Sequence, residues 1–290
     1  MTQPVCLFTV VYPGCEAWLP RFFQSVEQQD FKEFDLLVLN DGLSDFQQYA
    51  GDSTVSMDEI PVTGTIAEIR SRGLQMLMER PCEKVIFADA DDYFSAGRIG
   101  KAVEALDHVD MYVNEVIPVD RDENIITPDY FSRRLGDEAD INSAFILDKN
   151  VIGLGNTAVR QEAIRQIRIP ESTIAVDWLI FTGMLLNGRT ARFKNNSVTY
   201  YRQHDRNTAG FKNLTPERIE RGLDVHLQNA GYFAPTSGMH RKHLEKIEEL
   251  KAYLSANQKN MNRYLKKVED ILPEHPFWWE EIKPLDQISL

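Results

Sequence analysis

The sequence predicts an α/β protein with a mostly parallel sheet flanked by helices, followed by an extension made of helices alone. Short apolar runs alternate with helical periodicity over the first 120 residues. The runs at 5–12, 34–39 and 85–88 are continuously apolar, as is typical of strands buried on both faces. From about residue 213 only helical periodicity is found. We therefore expect two units, 1–212 and 213–290.

The first elements have the spacing of a β-α-β unit. A strand at 5–12 ends at Pro13-Gly14, an amphipathic helix follows at 16–29, and a second strand covers 34–39. Such a unit pairs its strands in parallel through a right-handed crossover. The rest of the expected unit 1–212 contains further predicted elements. They are an edge strand at 54–57, helices at 65–79, 99–106 and 176–186, strands at 111–119 and 197–201, and a strand turning into a helix at 154–167.

Polar residues follow three of the predicted strands at the point where each strand ends. They are Tyr12-Pro13, Asn40-Asp41-Gly42 and the stretch 89–92. Ligands of open α/β sheets bind beyond the carboxyl ends of the strands, so we expect these residues to form one rim. Residues 120–150 are acidic and irregular and are expected to loop over that rim.

Three carboxylates in four positions follow the strand at 85–88, namely Asp89, Asp91 and Asp92. Like charges this close raise one another's pKa values unless a cation lies among them. A divalent metal with oxygen ligands, and with room for a substrate phosphate, would be such a cation. Two other readings stay open: a solvated acidic turn, or Asp92 as the cap of the next helix.

Charge and cysteine content limit the possible partners and compartments. The net charge of −12 falls almost entirely within 1–212 and argues against nucleic acid as a partner. The three cysteines have no metal-like spacing, which favours a reducing compartment. The longest apolar run has eight residues and the N-terminus lacks the basic region of a secretion signal. We expect a cytoplasmic protein, with peripheral attachment at the inner membrane face left open.

The helical extension contains a heptad stripe of Ile247, Leu254, Met261 and Val268. This stripe either packs on the first unit or forms a homodimer coiled coil through 244–272. The segment HPFWWEEIKP at 275–284 is so apolar that we expect it to be docked against another surface.

Five segments occur in a specific order: LFTVVY with SVEQQ and FDLLVLNDGLSD, GTIAEIRSRG, IFADADDYF, VDW at 176–178, and YYRQHDRNTAG. Together, over about residues 3–210, they resemble the family 2 inverting glycosyltransferases, which have the GT-A fold. The chain departs from that pattern at Asn40, Leu43, Ser71 and Val176. These departures bear on the identity of the nucleobase more than on the class of reaction, because Asp89, Asp91 and Asp177 are all present.

The resemblance implies a metal-dependent, inverting transfer of a sugar from a nucleotide-diphosphate sugar to a glycan or lipid-linked acceptor. We expect the donor to be UDP-linked. It implies Asp91 as the ligand of Mn²⁺ or Mg²⁺, with Asp89 and His204 as further ligands, although a loop histidine would also explain His204. The donor would be bound by Asp41, Arg70, Asp89 and Ala90, with backbone groups around Thr9, Val11 and Tyr12 framing the base.

Asp177 is the expected general base, because it is a lone carboxylate at the start of an apolar helix. A helix N-cap would explain it too, and Asp41 could simply be part of an Asp-Gly turn. Arg70 is expected to reach the diphosphate, whereas Arg72 is expected to be solvated. The choice of acceptor is expected to depend on 120–150 and on the C-terminal tail.

Three other functions have sequence requirements that can be compared with this chain. A nucleotidyltransferase would need a basic glycine-rich loop after the first strand, where this chain has Pro-Gly-Cys-Glu. A NAD-dependent dehydrogenase would need a Gly-x-Gly-x-x-Gly motif there, which is absent. A nucleotide-sugar-binding or scaffold protein that has lost turnover stays open, because Asn40 and Val176 depart from the catalytic pattern.

Overall fold

The computed structural model describes residues 4–51, 53–204 and 214–288. Within these ranges nine strands form a single sheet. The strands are β1 (Val5–Val11), β2 (Phe34–Asn40), β3 (Met57–Pro61), β4 (Lys84–Phe87), β5 (Tyr93–Phe94), β6 (Met111–Val119), β7 (Glu138–Ile141), β8 (Thr157–Arg160) and β9 (Ala191–Arg202). The helices are α1 (Leu19–Glu27), α2 (Gln47–Ala50), α3 (Ile66–Glu79), α4 (Arg98–Ala105), α5 (Ser132–Leu135), α6 (Val176–Leu186), α7 (Pro216–Phe233), α8 (Gly238–Ser255) and α9 (Gln258–Ile271).

The order of the strands in the sheet is β3-β2-β1-β4-β8-β6-β9-β5, with β7 paired to β9. Strand β1 pairs in parallel with both β2 and β4, β2 pairs in parallel with β3, and β6 pairs in parallel with β9. Strand β8 is inserted antiparallel between β4 and β6. The predicted α/β class with a mostly parallel sheet and C-terminal helices is confirmed.

The parallel half of the sheet is formed by strands that are apolar on both faces. Strand β1 is buried along its whole length, as is β4. Helix α1 covers one face with four large apolar side chains, and α3 covers the other face. Helix α3 begins with a capping box of Thr65 and Glu68. It packs closely on the sheet at Gly73, where a Cβ atom would lie 2.5 Å from the ring of Phe8.

Three local predictions were wrong in detail. The edge strand lies at Met57–Pro61, after the predicted 54–57. In 154–167 a 3₁₀ turn at Leu154–Asn156 comes before strand β8, and a second 3₁₀ turn follows it. Asp92 does not cap a helix, because strand β5 follows it and its carboxylate accepts a hydrogen bond from the backbone N–H of Arg202 across the sheet.

The heptad stripe is not part of one continuous helix. Helix α8 ends at Ser255, and the side chain of Asn257 accepts a hydrogen bond from the backbone N–H of Asn260 to begin α9. The stripe is buried within the chain, in a cluster with Ile219 and Leu223 of α7 and Ile282 of the tail. The seam that suggested a homodimer through 244–272 is therefore already occupied, and such a dimer would need a different surface.

The apolar tail is docked, as its composition suggested. The backbone N–H of Asn150 donates to the carbonyl of Trp278 at 2.8 Å, and the Tyr130 hydroxyl donates to the carbonyl of Pro276 at 2.7 Å. Arg134 forms a bidentate ion pair with Glu280, with N–O distances of 2.6 and 2.8 Å. The tail thus returns from the helical extension to the sheet. In the described parts of the chain, no helix combines the length and the apolar character needed to cross a lipid bilayer.

Candidate active site

A cleft of about 510 Å³ opens beyond the carboxyl ends of β1, β2 and β4. Its position follows from the parallel pairing of these strands, which brings their polar ends to one edge of the sheet. Tail residues close the cleft from the opposite side. The residues that line it include Val10, Tyr12, Pro13, Asp41, Ile66, Ile69, Arg70, Asp89, Ala90, Asp91, Asp92, Gly153, Leu154, Gly155, Asn156, Asp177, Tyr201, Trp278 and Trp279.

Each of the three aspartates after β4 has a different partner. Asp89 pairs with Arg70 at 3.0 Å. Asp91 accepts hydrogen bonds through Oδ2, from the Tyr12 hydroxyl at 3.1 Å and from Nε2 of His204 at 2.8 Å. Asp92 is buried, and burial raises the pKa of its carboxyl well above the usual range. All three aspartates line the cleft, but Asp92 is the one whose carboxylate is tied to the backbone of β9.

A buried arginine supports this turn from behind, and sequence reasoning missed it. Arg98 is 1% exposed and donates to the carbonyl oxygens of Phe87 and Gly155 at 2.7 and 2.9 Å. Burial lowers the pKa of its guanidinium to about 10, which leaves it charged at neutral pH. Its positive charge acts on Asp89 and Asp92 through the low-dielectric interior. A single arginine at the start of α4 gave no signal of this role.

The fit of a divalent cation depends on the remaining acceptor atoms. Among the described residues, no group of three or more His, Cys, Asp or Glu side chains is placed to hold a metal ion. The predicted ligands Asp89, Asp91 and His204 therefore do not form a site by themselves. Oδ1 of Asp91, however, takes no hydrogen bond from the described residues. One or two carboxylates are sufficient for Mg²⁺ or Mn²⁺ when substrate phosphates complete the coordination, so the residues present fit such a shared site.

His204 lies behind Asp91 and not in the open cleft. Its imidazole stacks on the indole of Trp18, with ring centroids 4.4 Å apart, while Nε2 faces Asp91. The side chain is 3% exposed. His204 therefore packs against Trp18 and holds the carboxylate of Asp91 from behind. A surface loop histidine would not be buried in this way.

The predicted donor-binding residues separate into two groups. Tyr12, Asp41, Arg70 and Ala90 line the cleft together with the aspartates. Thr9 and Val11 do not, because their side chains are fully buried within β1. The prediction for 9–12 concerned backbone groups around the base and stays a prediction; from this segment and the residue after it, Val10, Tyr12 and Pro13 line the cleft. Arg72 is exposed, as expected.

Asp177 lies in the first turn of α6 and lines the cleft. The N-cap of this helix is Ala175, so the reading of Asp177 as an N-cap was wrong. The pKa of its carboxyl is raised to about 6, mainly because of burial. Hydrogen bonds from backbone N–H groups at the start of the helix act in the opposite direction and lower this pKa. A carboxyl with this pKa can accept a proton near neutral pH.

Sequence reasoning missed Asn150, which links Asp177 to the tail. The side chain of Asn150 donates to Oδ2 of Asp177 at 3.1 Å, and its backbone N–H binds the carbonyl of Trp278. A lone asparagine in an irregular segment carries no sequence signal. The composition of the tail did indicate docking, but the surface that it covers could not be predicted.

Comparison with known proteins adds the identity of the fold. No protein-family model matches the chain, and its sequence matches none of the curated proteins compared. Among solved structures it resembles S. aureus TarS 1–349 in complex with UDP-GlcNAc, with a TM-score of 0.59 and 18% identity over 88% of this chain and 74% of the other. It also resembles the mannosyltransferase PcManGT from Pyrobaculum calidifontis in complex with GDP-Man and Mn²⁺, with a TM-score of 0.54 and 15% identity over 89% of this chain and 76% of the other. The chain therefore has a GT-A type fold, shared with proteins crystallised with nucleotide sugars.

Proposed function

We propose that the protein is a metal-dependent inverting glycosyltransferase of the family 2 type. It would move a hexosyl unit from a nucleotide-diphosphate sugar, UDP-linked by preference, to a glycan or lipid-linked acceptor. The observation that carries the proposal is that one cleft brings together the aspartates after β4 and the half-buried carboxyl of Asp177 with its raised pKa. The structural likeness to proteins that bind UDP-GlcNAc and GDP-Man supports the same class of donor.

The donor would occupy the side of the cleft formed by the ends of β1, β2 and β4. Asp41 and Tyr12 would frame the nucleoside, and Arg70 would reach the diphosphate from α3. Asp91, helped by Asp89, would hold Mn²⁺ or Mg²⁺, which when bound neutralises charge on the departing diphosphate. His204 and Tyr12 would orient the carboxylate of Asp91 from behind.

The reaction needs one base, because an inverting transfer is a single displacement. The acceptor oxygen forms a bond to the anomeric carbon while the bond from that carbon to the diphosphate breaks. The proton of the acceptor hydroxyl passes to the carboxylate of Asp177, and the nucleoside diphosphate leaves with the bonding electrons. Asn150 would hold Asp177 through its amide hydrogen bond.

The decisive experiment replaces Asp177 and measures binding and turnover separately. A thermal-shift panel of UDP and GDP, each with and without Mn²⁺, reports donor binding. Transfer from UDP- and GDP-sugars reports turnover. In Asp177→Asn we expect the Mn²⁺-dependent shift to persist while turnover falls about 10²–10⁴-fold, which is the usual contribution of a general base.

Asp270→Asn is the matched control, because Asp270 is an exposed acid on α9 that does not line the cleft. Its turnover should match that of the wild type. If neither UDP nor GDP with Mn²⁺ shifts the melting temperature, the donor assignment is wrong. Donor binding with no turnover for any acceptor would favour the non-catalytic nucleotide-sugar-binding protein.

The remaining predictions from the sequence become part of this proposal. The division at about residue 212 would separate a catalytic unit from the helical extension, although the tail of the extension reaches back to the cleft. The three cysteines are free and buried, which suits the reducing cytoplasm. No nucleic acid partner is proposed, in keeping with the net charge of −12.

A further inference from the structure

A partly exposed indole forms part of the wall of the cleft that also contains the proposed base. Trp278 lines the cleft, and its carbonyl accepts a hydrogen bond from the backbone N–H of Asn150. The side chain of the same Asn150 binds Asp177. One residue thus fixes both the carboxylate and the tail that carries the indole, so the positions of the two groups are linked.

The indole is held rigidly by the rings around it. Phe131 and Tyr201 contact it in edge arrangements, with centroid distances of 5.4 and 5.8 Å and interplanar angles of 86° and 78°. Gly153 lies so close that a Cβ atom there would be 2.8 Å from the indole. A rigid aromatic surface can bind a ligand at little cost in conformational entropy.

The charges in the cleft restrict which ligand this surface suits. Of the described residues that line the cleft, Arg70 alone is cationic, and it pairs with Asp89 on the side assigned to the donor. Arg70 also acts on Asp177, because its positive charge lowers the pKa of that carboxyl. Since Arg70 is already paired with Asp89, a phosphate bound beside Asp177 would compete with two carboxylates for this one cation, which is unfavourable in a partly desolvated cleft.

We propose that Trp278 determines acceptor specificity by stacking on a neutral sugar ring whose hydroxyl is presented to Asp177. A pyranose has an apolar C–H face that can be buried on an indole, while its hydroxyls remain free to bind polar groups. This inference rests on the proposed function and deepens it. It selects a saccharide as the reacting part of the acceptor over the bare phosphate of a lipid carrier.

The kinetic test compares Trp278→Ala with Trp278→Phe in the full chain. We expect the alanine variant to raise the KM for a saccharide acceptor about 10–100-fold, in line with the loss of a buried aromatic contact. The phenylalanine variant should recover most of this loss. The Kd for UDP with Mn²⁺ should stay within about twofold, because the indole lies on the acceptor side.

Two further variants separate stacking from a general effect of the tail. In Gly153→Ala the added methyl group should displace the indole and raise the same KM, although the Trp278 side chain itself is unchanged. Tyr232→Ala is the control, because Tyr232 is an exposed aromatic residue of α7 that does not line the cleft. An unchanged acceptor KM in both Trp278→Ala and Gly153→Ala would overturn the proposal.

A binding measurement keeps this inference distinct from the proposed function. Saturation-transfer NMR would be run on the wild type and on Trp278→Ala with methyl glycosides of glucose, mannose and N-acetylglucosamine, and with glucose 6-phosphate. Binding of a neutral glycoside that is lost in Trp278→Ala would support the subsite even if no transfer occurred. Binding that is equal in both proteins, or stronger for the phosphate, would overturn it even if transfer were observed.

Discussion

The two sides of the cleft are built in different ways. The side that carries Asp41, Asp89 and Asp91 is formed by consecutive parallel strands, whose polar ends meet because the sheet aligns them. The side that carries Asp177 and Trp278 is assembled from a helix and a tail that are joined through Asn150. One side follows from local sequence and the pairing rules of strands, and the other depends on contacts between distant parts of the chain.

This difference suggests a division of labour. A side fixed by the sheet can hold a constant chemical group such as a nucleoside diphosphate, because strand ends scarcely move relative to each other. A side formed by loop and tail can change without disturbing the sheet, which suits the variable partner in a transfer reaction. The comparison predicts that substitutions on the first side impair donor binding, whereas those on the second impair proton transfer and acceptor binding.

The largest effect on the strand-end side is expected for Asp91→Asn. The amide is neutral and is a poorer ligand for a hard divalent cation, so the Mn²⁺-dependent stabilisation by UDP should be lost. Turnover should fall about 10³-fold, since charge neutralisation by a metal contributes several kcal/mol. Thermal shift with and without Mn²⁺, together with transfer rates, checks this expectation.

The control for Asp91→Asn is Asp45→Asn, at an exposed position with a positive φ of 52° that asparagine tolerates well. Both variants remove one negative charge near the carboxyl end of a strand, but only the first should affect donor binding. A variant Asp91→Asn that keeps the full Mn²⁺-dependent shift would contradict the assignment of this side to the metal and donor.

The same contrast explains how much could be predicted from the sequence. The buried strands β1, β2, β4 and β6, helix α3 and the rim with Asp41, Arg70 and Asp89 were predictable, because buried parallel strands and amphipathic helices have local patterns. The short strands β5 and β7 were not predicted. Arg98, Asn150 and the place of Trp278 were not, because their roles arise from contacts across the fold. The heptad spacing at 247–268 suggested one continuous helix. The structure has two helices there, because the spacing continues through the turn at Asn257 that separates them.

A smaller effect on the other side concerns the pH dependence of transfer. Asp177 must be deprotonated to act as a base, so kcat/KM should rise with pH and be half-maximal near pH 6 on its acid side, in line with the pKa of about 6. Well below this pH the rate should fall about tenfold per unit.

Asn150→Ala sharpens this test by removing a donor to the Asp177 carboxylate. Because a hydrogen bond to the charged form lowers a pKa, its loss should move the acid limb to higher pH by about half a unit. Asn195→Ala, at an exposed position on β9, should leave the limb in place. Two results would contradict the role of Asp177 as the base. One is an acid limb of kcat/KM that is unchanged in Asn150→Ala, and the other is an acid limb that lies near pH 4 in the wild type.

The smallest effect concerns the histidines that hold the tail against the helical extension. His226 bonds to the carbonyl of Trp279 and to Nε2 of His243, each at 3.0 Å. A neutral ring carries one N–H, and a carbonyl can only accept, so the proton of His226 lies on Nε2 and its Nδ1 accepts from His243. Burial lowers the pKa of His226 to about 3 and that of His243 to about 4, so both are neutral in the folded protein near neutral pH.

Protonation of this pair should loosen the wall of the cleft. Asp148, Lys246 and Lys283 are the charged groups that act on these rings. Since the unfolded chain binds protons on histidine below about pH 6.5 and the folded state does not, the contribution of these two histidines to the free energy of unfolding should be constant above this pH. It should then decrease as pH falls toward 4, by up to about 1.4 kcal/mol per pH unit for each histidine.

Urea unfolding between pH 7.5 and 5 measures this dependence. His243→Gln removes one titrating ring and retains an amide N–H that can donate to His226, so its pH slope should be shallower than that of the wild type. His108→Gln, which replaces an exposed histidine after α4, should keep the wild-type slope. Equal slopes for wild type and His243→Gln would show that the buried pair does not couple protonation to folding. In that case the contacts that hold the tail, including the hydrogen bonds to Trp278 and Pro276, would not depend on the protonation of this pair.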